Sequence, residues 1–84
     1  MLNGMTEREA VHAVGRRIGV IFNYDCRRNL YFGRRRKLNI EIGYCRYDDG
    51  ALYLYACIWT RGDCAACPCR SIDEAVSWFK EELK

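Results

Sequence analysis

The sequence predicts an α+β domain: an N-terminal helix, a three-stranded antiparallel β-meander and a C-terminal helix, with both helices on one face of the sheet. Three observations predict it. Capping boxes stand near the two ends, at Thr6-Glu7-Arg8-Glu9 and Ser71-Ile72-Asp73-Glu74. Apolar residues recur at spacings of three and four after each box. Between them, residues 29 to 59 are rich in β-branched and aromatic side chains.

In the first box the Thr6 hydroxyl can accept the N–H of Glu9 while the Glu9 carboxylate returns to the N–H of Thr6, which starts a helix. Ala10, Val11, Val14, Ile18, Ile21 and Phe22 then form its apolar stripe, with Arg8, His12 and Arg16 on the polar side. Residues 19 to 24 read equally as helix or strand: Gly15 and Gly19 each cost about 1 kcal/mol in a helix, and Ile18, Val20, Phe22 and Tyr24 also alternate. Leu30-Tyr31-Phe32 is a short strand, Gly33 with the following basic run its turn, and residues 38 to 47 a longer strand.

Asp48-Asp49-Gly50 reads as a three-residue hairpin loop whose glycine takes the left-handed position. This sets a register in which Tyr47 faces Ala51, and Tyr44, Ile42 and Ile40 face Leu54, Ala56 and Ile58. The aliphatic residues then share one face. Lys37, Asn39, Glu41, Gly43 and Cys45 share the other with Tyr53, Tyr55, Cys57, Trp59 and Arg61. In the last helix Ile72, Ala75, Val76, Phe79 and Leu83 mark the buried face, and Asp73, Glu74, Lys80 and Lys84 match the helix dipole. Helices over the aliphatic face leave the second face open.

With 84 residues, the chain has room for one core, since a domain of this size buries only about 60% of its unfolded surface. We expect a single domain over residues 1 to 84. Half the residues are hydrophobic and 13% aromatic, a composition outside the disordered class. The start of the sequence carries no basic region followed by an apolar stretch, and no run is long enough to span a bilayer, so the expected location is the cytoplasm. There thiols stay reduced, and the six cysteines read as free thiols or metal ligands before they read as a disulfide framework.

Cys64-Ala65-Ala66-Cys67-Pro68-Cys69 offers Cys64, Cys67 and Cys69 as zinc ligands, since a C-x-x-C step lets two thiolates converge on one ion. A fourth ligand would have to come from Cys57, Cys45 or Cys26. The plainer reading is small buried thiols at the entry to the last helix, with no cofactor required. A Cys45–Cys57 disulfide is excluded by the register: Cys45 faces Tyr53, which leaves Cys57 about 13 Å further along, beyond the roughly 7 Å a bridge tolerates.

Catalysis has little to build on. His12 is the one histidine and lacks a sequence cue for a nucleophile or orienting carboxylate. Asp48 and Asp49 are explained by turn chemistry. No phosphate-cradling glycine motif is present, and the expectation is a protein that is not an enzyme.

The open face carries the functional expectation. Tyr53, Tyr55 and Trp59, flanked by Lys37 and Arg61, form an aromatic strip of the residue types that dominate interface hot spots. The plain alternative is that rings simply favour strands. Residues 1 to 46 hold ten Lys or Arg against four Asp or Glu, while residues 47 to 84 hold four against seven. The basic half includes the patch Arg34, Arg35 and Arg36 beside Lys37. The leading reading is a protein partner, either a second copy or a foreign target. The alternative is single-stranded nucleic acid, with bases on the rings and phosphates on the basic rim. A zinc-stabilised interaction domain is third.

The helix, three strands, helix order resembles double-stranded-RNA-binding domains, but their basic second-helix N-terminus is replaced here by Ser71, Asp73 and Glu74, whose two carboxylates repel phosphate. Size and element order are also similar to small phage-encoded inhibitors, including some anti-CRISPR proteins. That resemblance covers no motif and implies only an inhibitor or adaptor role.

Overall fold

Helix α1 spans Glu7–Ile18, and both halves of its capping box are formed: Thr6 Oγ1 accepts the Glu9 N–H at 3.1 Å and Glu9 Oε1 accepts the Thr6 N–H at 2.9 Å. It stops at Gly19, whose φ of 73° places it in the left-handed region a side chain disfavours. The computed structural model describes residue 2 and residues 4–84. After Gly19 the chain runs extended into β1 (Asn23–Asp25), so the ambiguous stretch resolves against helix. Ile21, expected on the buried stripe, is 82% exposed, while Phe22 is buried from the extended segment instead.

The sheet has five antiparallel strands in the order β1-β2-β3-β4-β5, where the sequence suggested three. The others are β2 (Leu30–Arg35), β3 (Leu38–Arg46), β4 (Leu52–Trp59) and β5 (Cys64–Cys69), and helix α2 (Ile72–Glu82) follows. The two outer strands account for the difference. The segment entering β2 is itself a strand, and the cysteine cluster lies flat along β4 as an edge strand. Pro68 fits there because an edge position does not require its missing N–H. The extra strands also separate this order of elements from that of double-stranded-RNA-binding domains.

Gly33, expected in a turn, lies inside β2 opposite Ile40. Its reason is close approach: a Cβ there would stand 2.6 Å from Val20 Cγ1 and 2.8 Å from the Ile21 carbonyl oxygen. Gly15 does the same from α1, where a Cβ would lie 2.5 Å from the Val20 carbonyl oxygen. The extended segment after α1 is therefore threaded between two glycines. The turn falls instead at Arg36-Lys37, with Arg36 at φ 57°.

The central hairpin has the expected register. Ile40 faces Ile58, Ile42 faces Ala56 and Tyr44 faces Leu54. Tyr47 accepts from the Gly50 N–H at 2.8 Å, and Gly50 sits at φ 78°. Ile40, Ile42, Leu54, Ala56 and Ile58 join Val11, Val14, Ile18, Val76 and Phe79 in one buried cluster, so both helices cover this face. Tyr44 anchors the entry to α1: its hydroxyl donates to the Met5 carbonyl at 2.8 Å, and its N–H, beyond the reach of β2, donates to Glu7 Oε2 at 2.8 Å.

Helix α2 is capped by Ser71 Oγ, which accepts the Glu74 N–H at 3.1 Å. The expected reciprocal bond is replaced, because Glu74 Oε2 accepts from the Arg70 N–H at 3.1 Å. Arg17 and Asp73 join the two helices through an ion pair at the surface. No helix among the described residues is long and apolar enough to cross a membrane.

Candidate docking face

The side chains that alternate away from the helices form the second face. Trp59 and Tyr55 stand on β4 and are 40% and 41% exposed, and Phe32, opposite Glu41 on β2, is 42% exposed. Tyr53 is less available than its neighbours. Its ring packs edge-on against Tyr47 with centroids 4.9 Å apart, and the Arg70 guanidinium lies 5.7 Å from its centroid. Phe32 was missed by sequence reasoning although the alternation from inward Tyr31 signals it.

Glu41 organises the middle of the face. It lies opposite both Phe32 and Cys57, its Oε1 accepts the Trp59 indole N–H at 2.9 Å, and it pairs with Arg28. Arg28 reaches there because the β1–β2 turn is held shut by Asp25 Oδ1, which accepts the N–H of Arg27 at 3.0 Å, and by Tyr24, whose hydroxyl donates to Asn29 Oδ1 at 2.6 Å. Two adjoining shallow hollows, about 770 and 550 Å³, share Arg28, Leu30, Glu41 and Trp59 in their walls. The rings thus stand around an ion pair that fixes one of them.

The basic residues divide. Arg34 lies on the open face opposite Asn39, Arg35 Nη1 donates to the Ile18 carbonyl at the end of α1 at 3.3 Å, and Arg36 is in the turn. Lys37 and Arg61, expected on the face, stand on the turns at its end, where Thr60 and Asp63 close the β4–β5 hairpin by mutual backbone bonds of 2.9 and 3.3 Å. That end of the sheet remains basic, but as three separate orientations rather than one patch.

The cysteine cluster also divides. Cys64 faces Trp59 on the open face, while Cys67 and Cys69 face Ala56 and Leu54 on the helix face. The three thiols therefore point away from a common centre, and among the described residues no three metal-ligating side chains come together. Of the buried thiols the plainer reading expected, Cys69 is wholly buried, but Cys67 is only half-buried and Cys64 is exposed. His12 packs its ring against Tyr31, centroids 6.0 Å apart, on the helix side and away from the open face.

Cys57 is the exception on the open face. It is 6% exposed yet stands outside the helix-side cluster, covered by its neighbours on β3 and β5. Its Sγ lies 2.7 Å from that of Cys64, and both are free thiols. Burial first, then the hydrogen bond and charge of Cys64, push the Cys57 thiol up to about 12. This pairing was legible only to a reading that placed the second hairpin at Arg61-Gly62, where Gly62 takes φ 77°.

No protein-family model, curated protein or solved structure matches the chain.

Proposed function

We propose that this chain is a small non-catalytic binding module that docks a protein partner, a second copy or a foreign target, on the open face of its sheet. The observation that carries the reading is the grouping of Phe32, Tyr55 and Trp59, each about two-fifths exposed, around the Glu41–Arg28 pair. Trp59, held by Glu41, loses little freedom on binding, and burying the remaining two-fifths of each ring contributes on the order of 1 kcal/mol. The polar rim of Arg34, Asn39, Lys37 and Arg61 supplies hydrogen bonds at the edge of such an interface.

A second reading rests on one placement. Arg34 stands across Asn39 from Trp59, with Lys37 and Arg61 on the turns at the same end. That arrangement suits single-stranded nucleic acid, with a base on Trp59 and phosphates on the basic end. Light scattering after size exclusion, together with retention of single-stranded DNA and RNA across a salt series, separates the two. Self-association or a protein complex lost in Tyr55→Ala supports the first. Retention that weakens steeply with salt supports the second and overturns the first.

A further inference from the structure

We propose that Cys57 and Cys64 form a dithiol that closes reversibly to an intramolecular disulfide across the β4–β5 hairpin. The case is geometric. Cys57 lies opposite Ala66 and Cys64 opposite Trp59, so the two are diagonal neighbours on one face of adjacent strands. Their sulfur atoms stand 2.7 Å apart, about 0.7 Å from the ~2.05 Å of a bonded pair. Small χ1 rotations complete the approach. The other four cysteines have no such neighbour in register: Cys26 lies in the β1–β2 turn, Cys45 faces Tyr53, and Cys67 and Cys69 are on the opposite face.

The two thiols divide the chemistry with a small disulfide such as glutathione disulfide as oxidant. Exposed Cys64 attacks as thiolate, forming a Cys64–glutathione disulfide and releasing one glutathione thiolate. Buried Cys57 then loses its proton and attacks Cys64 Sγ, breaking the Cys64–glutathione bond and releasing the second glutathione. Two electrons pass from the protein to the oxidant, one S–S bond is exchanged for another, and two protons from the protein thiols end on glutathione. Closure fastens the edge strand to β4 beside Trp59; its occurrence does not depend on what the open face binds.

The test uses the full chain, reduced and then equilibrated in glutathione buffers of increasing disulfide fraction, acid-quenched, alkylated and weighed intact. The expected product is monomeric, lacks two hydrogens and leaves four of the six thiols open to alkylation. Trypsin should link the peptide of residues 47–61 to that of residues 62–70, with fragmentation placing the bond on Cys64. Cys64→Ser should abolish that species, while Cys26→Ser retains it. A bond through Cys67 or Cys69, a cross-link between two chains, a glutathione adduct on Cys64 that persists beside a free Cys57, or no loss of hydrogen in any buffer would each overturn the proposal.

Discussion

Trp59 donates its indole N–H across the strand pair to Glu41 Oε1 at 2.9 Å, and the same carboxylate holds Arg28 from the β1–β2 turn. One acidic side chain therefore fixes a ring and a loop on the face proposed to bind. Glu41→Ala should keep the fold and lose about 0.5–1.5 kcal/mol in urea unfolding, the scale of one hydrogen bond at a partly exposed site. Of the two indole N–H resonances, that of Trp59 should move and exchange faster while that of Trp78 stays in place. An unmoved Trp59 signal would contradict the contact.

Neighbouring residues on β4 test which face is which. Leu54 is fully buried beneath the helices, whereas Tyr55 points away from them. Leu54→Ala should cost about 2–5 kcal/mol through the cavity it leaves. Tyr55→Ala should cost less than about 1 kcal/mol and act on association. Equal losses in denaturant titrations would mean that the rings belong to the core.

The threading of residues 20 to 22 between α1 and β2 depends on Gly33. A methyl group there meets Val20 and the Ile21 carbonyl, and Gly33→Ala should destabilise by about 1–3 kcal/mol, as overpacking does. Gly15→Ala gains about 1 kcal/mol in helix propensity but drives Cβ into the backbone oxygen of Val20, which cannot swing aside as a side chain can. It too should lower the melting temperature. A rise in either variant would contradict the packing.

Stability should decline at both ends of the pH range. Glu9 is held below its ordinary 4.5 by the Thr6 backbone and then its hydroxyl, and Asp73 below 3.8 by the hydrogen bond and then the charge of Arg17. Lowered carboxylates contribute stability above their unfolded values and lose it as pH falls through the folded ones. Cys57 and Cys69 are pushed from 9.0 up to about 12, burial first, and burial followed by Glu7 and Glu9 raises Tyr44 above 10.0. Raised groups lose their contribution as pH rises through the folded values. Melting temperatures should therefore fall below pH 4.5 and above pH 9.0. The Glu9→Gln and Asp73→Asn double variant should show a shallower acid limb; an unchanged limb would contradict those two assignments.

Local chemistry made the two helices and the central hairpin legible, because Thr6, Ser71 and Gly50 act within a few residues of themselves. The outer strands were not, for a different reason in each case. Strand β1 has three residues paired with Leu30–Phe32, and the segment leading into it packs on Gly33, whose role is visible only once Val20 crosses it. Strand β5 is written in Cys, Ala and Pro, which carry no β signal, and exists because β4 offers an edge. At the site, alternation placed Tyr55 and Trp59 outward. The Arg28–Glu41 pair needed the β1–β2 turn, and the thiol pair needed β5.

The central claim is that the ring-bearing face meets a protein. It is tested most directly by a photoreactive p-benzoylphenylalanine in place of Tyr55, irradiated in cells, with the same probe in place of Lys80 on the exposed side of α2 as reference. The expected result is a discrete protein adduct from the sheet position that the helix position does not give. Equal labelling from both positions, or a nuclease-sensitive adduct from the sheet position, would contradict it.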